Sequence, residues 1–133
     1  MYTFKKEERL CNKKLLEQLF SSGSSFLCYP FRVSWLKASL PEGLAVQVVF
    51  AVAKKRYRRA VDRNLIKRRT REAYRLHKQE LLYLTLQGQN KQIILSINYI
   101  GKEINDFALM DKKMVKLLNQ LSEQINASDP KVV

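Results

Sequence analysis

Apolar side chains recur along the chain with two different spacings, which separate predicted helices from predicted strands. Between Asn12 and Phe20, leucines three to four residues apart predict an amphipathic helix, and Asn12 is a suitable N-terminal cap. Apolar residues from Met110 to Ile125 follow the same spacing and predict a second amphipathic helix. Residues 31–35 instead alternate between apolar and polar side chains, which predicts a half-buried strand.

Two more segments have the character of strands. Leu44 to Ala53 is apolar at every position except Gln47, which is typical of a central strand. Residues 93–99 alternate in the manner of a further strand. Pro30 interrupts a β-rich stretch that runs from Phe26 to Leu40, and residues 21–25, 41–43 and 87–90 carry the small and polar residues of turns.

The elements follow in the order helix, two or three strands, helix, strand, helix, which predicts an α+β sandwich with helices packed on one sheet. The chain has 133 residues, a length that suits one domain. We predict that this domain covers residues 1–126 and that residues 127–133 form a frayed polar tail.

Positive charge is concentrated in one segment. The chain has 25 Lys and Arg against 12 Asp and Glu, a formal net charge of +13. Residues 54–75 hold eleven of these cations and two of the acids, hence a net +9, on a predicted loop and long helix that ends near Leu84. Most of the cations on the helix are Arg, which donates paired hydrogen bonds to phosphate. This concentration favours a polyanionic partner over simple solvation.

The predicted helix divides into two arcs at about 100° per residue. One arc is cationic and is expected to face outward, whereas the other is apolar and is expected to pack on the sheet. Neighbouring like charges destabilise an isolated helix by roughly 0.2–0.5 kcal/mol per pair, and a bound polyanion would offset that repulsion. The cationic arc contains Arg63, Asn64, Lys67, Arg68, Arg71 and Arg75, and the apolar arc contains Val61, Leu65, Ile66, Ala73 and Leu76.

Arg69 falls within the apolar arc, where a charged side chain is unexpected. Asp62 lies seven residues earlier, which is about two helical turns. We therefore expect Arg69 and Asp62 to form an ion pair at the edge of the packed face.

Composition offers little support for other classes of function. His77 is the only histidine, the acidic residues are scattered and the glycines are isolated. We therefore predict no catalytic residue, metal site or bound cofactor on this chain. Cys11 and Cys28 form no CxxC pair and are expected to be reduced. Without an apolar run of roughly 18 residues or a signal peptide, the chain is predicted to be cytoplasmic and to have no membrane partner.

Residues 53–75 closely resemble the signature of the bacterial ribonuclease P protein family. The family pattern is Lys-Lys, Ala-Val, Arg-Asn-Arg, Lys-Arg and Arg-Glu, and its spacing fits this chain without gaps. Leu65 departs from the pattern, because the family usually has the second Arg of Arg-Asn-Arg there. The matching residues are Lys54, Lys55, Ala60, Val61, Arg63, Asn64, Lys67, Arg68, Arg71 and Glu72.

The resemblance implies a two-layer sandwich with a mostly antiparallel sheet, in which the signature helix joins two parallel strands by a left-handed crossover. It also implies an endoribonuclease whose RNA subunit holds the catalytic centre and the magnesium ions, with one protein per RNA. The protein would bind that RNA and the 5′ leader of precursor tRNA. On this basis the expected contacts with the RNA subunit are Lys54, Lys55, Arg56, Arg59, Arg63, Asn64, Lys67, Arg68, Arg71 and Arg75.

The family's leader cleft lies on the sheet and is lined by aromatic and polar residues. Single-stranded RNA binds to aromatic rings flanked by positive charge, which this region of the sequence can supply. Burial of the same rings in the core is the competing interpretation. The candidates for leader binding are Phe20, Tyr29, Phe31, Arg32 and Trp35.

Three alternatives stay open at this point. A structural RNA-binding protein, such as a ribosomal protein, would bind RNA without affecting tRNA processing. A DNA-binding module would need a recognition helix free to enter the major groove. Attachment to a membrane surface would need an apolar arc that is not already packed on the sheet.

Overall fold

A computed structural model describes residues 4–128, and its centre is a single four-stranded sheet. The strands are β1 (Ser24–Cys28), β2 (Phe31–Lys37), β3 (Val46–Val52) and β4 (Ile93–Tyr99), in the spatial order β1-β2-β4-β3. β2 pairs antiparallel with both β1 and β4, whereas β3 and β4 are parallel. The predicted α+β fold with a mostly antiparallel sheet is confirmed, and the left-handed sense of the crossover stays a prediction.

Among residues 4–128, four α-helices accompany the sheet: α1 (Lys13–Ser22), α2 (Ala60–Lys78), α3 (Leu84–Gly88) and α4 (Phe107–Ser128). A π-helical turn over Gln79–Tyr83 joins α2 to α3, so the helical path continues past the predicted end near Leu84. α4 includes the first two residues of the predicted tail, and residues 1–3 and 129–133 lie outside the described part of the chain.

Helices lie on both faces of the sheet, and the α1 face is covered only in part. α2 and α4 pack on one face and build the main core, in which Phe31, Ile97 and Leu117 are buried. On the other face, Leu19 of α1 forms a smaller buried cluster with Leu10 and Ile94. Because β2 and β4 each contribute residues to both clusters, their side chains are buried on alternating sides.

The prediction of a central strand over residues 44–53 was wrong about position. β3 is an edge strand, and β4 lies between β2 and β3. The apolar run has a different cause, because the two faces of β3 contribute to different clusters. Val46 and Val48 belong to the main core, whereas Val49 packs against the smaller cluster under α1.

The serine-rich segment was predicted as a turn, and most of it is regular structure instead. Ser21 and Ser22 complete α1, and Ser24 and Ser25 already belong to β1. The change of direction is left to Gly23, where an added Cβ would lie 2.5 Å from the Leu19 carbonyl oxygen. The same Cβ would also lie 3.0 Å from the Trp35 carbonyl oxygen of β2, so glycine is required between the last turn of α1 and the sheet.

The segment before α1 contacts both the helices on one face of the sheet and the edge of β3. The Glu8 carboxylate is buried and accepts hydrogen bonds from Lys78 Nζ and the Tyr83 hydroxyl, while Lys5 N donates to its second oxygen at 2.8 Å. Beyond Glu8, Arg9 forms an isolated parallel bridge with Val48 at the free edge of β3. The segment thus crosses from the α2 face of the sheet to the α1 face at a defined place.

Candidate RNA interface

A cationic loop leads from β3 into α2 and is held by one buried aromatic side chain. Tyr57 is buried, and its hydroxyl donates a 2.7 Å hydrogen bond to the carbonyl of Gly101. This contact fixes the middle of the loop against the segment that follows β4. The cations on either side point into solvent: Lys54, Lys55, Arg56, Arg58 and Arg59 are all exposed.

Arg63 links the loop to the first turn of α2. Its Nη1 donates hydrogen bonds of 2.9 Å to the Tyr57 carbonyl and 2.8 Å to the Arg58 carbonyl. Two backbone acceptors of the loop are thereby satisfied by one guanidinium. Arg63 was predicted as an RNA contact, and the structure adds a positioning role for it that spacing along the sequence did not reveal.

The buried face of α2 differs from the predicted apolar arc. Ile66 and Ala73 are buried as expected, whereas Val61 is 66% exposed. Thr70 and Tyr74 occupy the core instead, and Thr70 satisfies its hydroxyl by donating 2.8 Å to the Ile66 carbonyl. The predicted arc was based on the helical spacing of strongly apolar residues. It missed part of the buried face because threonine and tyrosine were not counted as core residues.

Arg69 does not pair with Asp62, contrary to the prediction. Its Nη1 donates a 2.6 Å hydrogen bond to the carbonyl of Asn105, in the segment between β4 and α4. Asp62 instead forms an ion pair with Arg59, with Oδ2 of Asp62 lying 3.8 Å from Nε of Arg59. The helix face that carries Arg69 turns toward that segment, where a backbone acceptor is closer than any carboxylate.

The remaining predicted RNA contacts differ in exposure. Asn64 and Arg68 are exposed, and Lys67 and Arg71 are half-buried beside β3. Arg75 forms an ion pair with Glu72, and this pair holds the pKa of the Glu72 carboxyl below its usual range. The cationic surface is therefore continuous from the loop along the first three turns of α2, and its charge is partly neutralised at Arg75.

Two predicted leader-binding residues belong to the core. Phe31 is fully buried with its ring edge-on to Tyr99, and Trp35 is buried with Nε1 donating 3.0 Å to Gln124 of α4. Neither ring can stack on a nucleotide, so the prediction was wrong for both. The cause is the alternation of β2, which directs residues 31, 33 and 35 together toward α4.

The other three leader candidates are exposed. Phe20 lies on α1 and is 67% exposed, and Tyr29 lies beyond the end of β1 and is 51% exposed. Arg32 alternates with Phe31, so it points to the α1 face of the sheet. In the pairing register, Arg32 stands opposite Asn98 of β4. The alternation of strand 93–99 could have marked Asn98 as part of this face.

Two further observations concern the described residues. Within residues 4–128, no cluster of three or more His, Cys, Asp or Glu side chains could hold a metal ion. No helix in that range is both long and apolar enough to cross a bilayer.

Fold and surface together define a small basic α+β protein that presents a cationic loop and helix beside an incompletely covered sheet. Such a combination suits a polyanion with single-stranded parts. A family model described as ribonuclease P matches residues 4–122, and the chain belongs to this family. A component of ribonuclease P takes part in an endoribonuclease complex that matures the 5′ end of tRNA, and this general role follows for the chain.

Relatives in sequence and structure agree with that assignment. The chain is 35% identical over 123 residues to the ribonuclease P protein component of Porphyromonas gingivalis, covering 92% of this chain and 89% of the relative. It is 36% identical to that of Chlorobium phaeobacteroides, covering 90% and 88%. The RNase P protein from Thermotoga maritima has the same fold, with a TM-score of 0.67 at 24% identity over 85% of this chain and 96% of that one. The Staphylococcus aureus RNase P protein gives a TM-score of 0.65 at 22% identity, covering 86% and 94%.

Proposed function

We propose that this chain binds the RNA subunit of ribonuclease P through the cationic loop and α2, and the 5′ leader of precursor tRNA through the α1 face of the sheet. In this proposal the RNA subunit carries the catalytic centre and its magnesium ions, and one protein serves each RNA. The protein assists removal of the leader without supplying a catalytic group. The family resemblance of residues 53–75 supports this division of labour.

The observation that carries the RNA-binding proposal is the anchored cationic loop. Tyr57 and Arg63 fix its backbone, so the exposed cations around them are presented in a defined arrangement before RNA binds. Preorganised cations lose less conformational entropy on binding than mobile ones. Arginines in this arrangement can donate bidentate hydrogen bonds to phosphates.

The α1 face of the sheet supports the leader-binding part of the proposal. Phe20 offers an exposed ring, and Arg32 offers a cation on the strand beside it. Ser34 and Asn98 add neutral hydrogen-bonding groups on the same face. Rings, cations and amides in one place are the groups that bind single-stranded RNA.

The test is cleavage of precursor tRNA by the cognate RNA subunit at low magnesium, with and without this protein. We expect a large protein-dependent gain in rate with the correct 5′ end. Binding without any gain would favour the structural RNA-binding alternative. Failure to bind the RNA subunit at all would overturn the proposal.

A pair of double variants examines the cationic surface. Lys55→Ala with Arg68→Ala removes two exposed cations from the proposed interface, and Lys112→Ala with Lys116→Ala removes two exposed cations from α4. Each lost phosphate contact should reduce the slope of log affinity against log salt by about 0.7–0.9. The first variant should show that reduction and weaker binding, while the second should behave like the natural protein.

A further inference from the structure

A cationic groove lies where the segment before α1 crosses the edge of β3. Its volume is about 230 Å³, and its cations come from two different parts of the chain. Arg9 belongs to the crossing segment, whereas Lys67 and Arg71 belong to α2. The apolar part of the lining includes Phe4, Val49 and Phe50.

The position of Arg9 is set by contacts on both sides of it. Glu8 is held in the buried network with Lys78 and Tyr83. Leu10 is buried, and its backbone N–H donates 2.9 Å to the carbonyl of Val48. The backbone of Arg9 forms a parallel β-bridge with Val48, whereas its side chain is exposed. The contacts of Glu8 and Leu10 therefore fix the backbone at Arg9 and hold its guanidinium at the groove.

Among residues 4–128, the three cations of the groove form no ion pair with a carboxylate, although Arg71 is near enough to Glu72 to help lower the pKa of that carboxyl. Ion pairs in that range join other side chains, and none includes Arg9, Lys67 or Arg71. Positive charges that line one groove repel one another, and partial burial strengthens the effect. An anion placed between them would relieve that repulsion.

The lining and size of the groove narrow the choice of anion. Ligand pockets that enclose a cofactor measure roughly 300–1,000 Å³, which is larger than this groove. A single phosphodiester with its sugar, passing through as part of a strand, needs less room. The two phenylalanines, whose ring centres are 5.7 Å apart, offer an apolar surface to the sugar or base.

We propose that Arg9, Lys67 and Arg71 together bind a phosphodiester of single-stranded RNA, so that the RNA interface continues from α2 over the edge of β3. The site rests on the proposed function, because it extends the same RNA-binding surface. Its strand comes either from the RNA subunit or from the leader of the precursor, and both offer the same chemistry.

The first experiment measures binding of the natural protein, Arg9→Ala, Arg9→Lys and Lys112→Ala to the RNA subunit and to its complex with precursor tRNA. Loss of a charge-assisted contact with phosphate should weaken binding about tenfold. Arg9→Lys should restore part of the loss, because it keeps the charge without the bidentate geometry. Lys112→Ala is the matched control, since Lys112 is exposed on α4. Arg9 is exposed, so its substitution leaves the core intact, and far-ultraviolet circular dichroism checks this.

The second experiment identifies the source of the strand by crosslinking. Cys11 is exposed and lines the groove, whereas Cys28 is buried, so a short thiol-reactive photo-crosslinker attaches to Cys11 selectively. Irradiation of the assembled complex should crosslink Cys11 to a single-stranded segment of the RNA subunit or to the leader. Cys11→Ser is the control that should give no crosslink.

The outcomes separate this inference from the proposed function. Weaker binding by Arg9→Ala than by Lys112→Ala, together with a Cys11 crosslink, supports the site and names its strand. Equal binding by those two variants, or no crosslink above the Cys11→Ser control, overturns the site even if Lys55 and Arg68 prove to be RNA contacts. If the natural protein did not bind the RNA subunit at all, the proposed function and the site would both be overturned.

Discussion

The buried carboxylate of Glu8 accepts a hydrogen bond from the ammonium group of Lys78, which lies 70 residues further along the chain. This ion pair fastens the segment before α1 to the end of α2. Burial lowers the pKa of the Lys78 ammonium, and the bond to Glu8 opposes that shift without cancelling it. Rings of Phe4 and Tyr83 lie 5.2 Å from the ammonium and add cation–π attraction.

Replacing Lys78 with Met should destabilise the protein by about 3–5 kcal/mol, because it leaves Glu8 buried without its counter-charge. Urea unfolding followed through the fluorescence of Trp35, the only tryptophan, measures the change. The double variant Lys78→Met with Glu8→Leu should recover part of the loss, since no unpaired charge is left in the core. A single variant as stable as the natural protein would contradict the role of the pair.

Stability should fall in acid through Glu8. Burial raises the pKa of this carboxyl, but hydrogen bonds from Lys78, Tyr83 and the Lys5 amide outweigh burial and hold it below its ordinary value of 4.5. The unfolded chain therefore takes up the proton first, so the contribution of Glu8 is present above pH 4.5 and is lost as pH falls through the lower, folded value. The difference in unfolding free energy between the natural protein and Glu8→Gln should narrow between pH 6 and pH 3. A constant difference would show that Glu8 does not titrate in this way.

Tyr57→Phe should loosen the cationic loop while leaving the fold in place. It removes the 2.7 Å hydrogen bond to Gly101 and should lower the free energy of unfolding by about 1 kcal/mol. RNA affinity should also fall, because the loop is no longer held before binding. Tyr74→Phe is the control, since it removes a 3.1 Å hydrogen bond between the Tyr74 and Tyr83 hydroxyls in the core, away from the loop. Equal RNA affinities for the two variants would count against the anchoring role of Tyr57.

Two neighbouring arginines should respond in opposite ways to alanine substitution. Arg69→Ala leaves the Asn105 carbonyl without its 2.6 Å partner and should cost about 1–3 kcal/mol of stability with little change in RNA affinity. Arg68→Ala removes an exposed cation and should weaken RNA binding while changing stability by less than about 0.5 kcal/mol. Thermal unfolding and a binding titration on both proteins decide the matter. A loss of RNA affinity in both variants would show that the helix face is assigned wrongly.

Alanine substitutions of Phe31 and Phe20 should also differ, the first lowering stability and the second weakening RNA binding. Phe31→Ala removes a fully buried ring and should destabilise the protein by about 3–5 kcal/mol. Phe20→Ala should leave stability almost unchanged, because the ring is 67% exposed, and should weaken binding of precursor tRNA more than binding of mature tRNA. Equal weakening for both RNAs would remove Phe20 from the leader site.

Local pattern was enough to predict most elements of the fold. The spacing of apolar residues predicted α1, α4 and strands β2, β3 and β4, because helix and strand bury their side chains with different periods. The cap at Asn12 was also predictable, and its side chain accepts hydrogen bonds from the Lys14 and Leu15 amides at 2.9 and 3.2 Å. The cationic loop and α2 were visible as well, since charge density is a property of composition.

The faces and the pairings were decided by tertiary structure. Spacing could not tell that β3 lies at an edge, because a strand between two covered layers is apolar wherever it stands in the sheet. It could not rank Phe31 below Phe20 as a leader contact, since aromatic rings are equally suited to a core and to a nucleotide. Nor could it bring Arg9 beside Lys67 and Arg71, because that meeting depends on contacts between residues far apart in the chain. Sequence alone determined the elements, the charge and the family, whereas the direction of each side chain depended on how those elements pack.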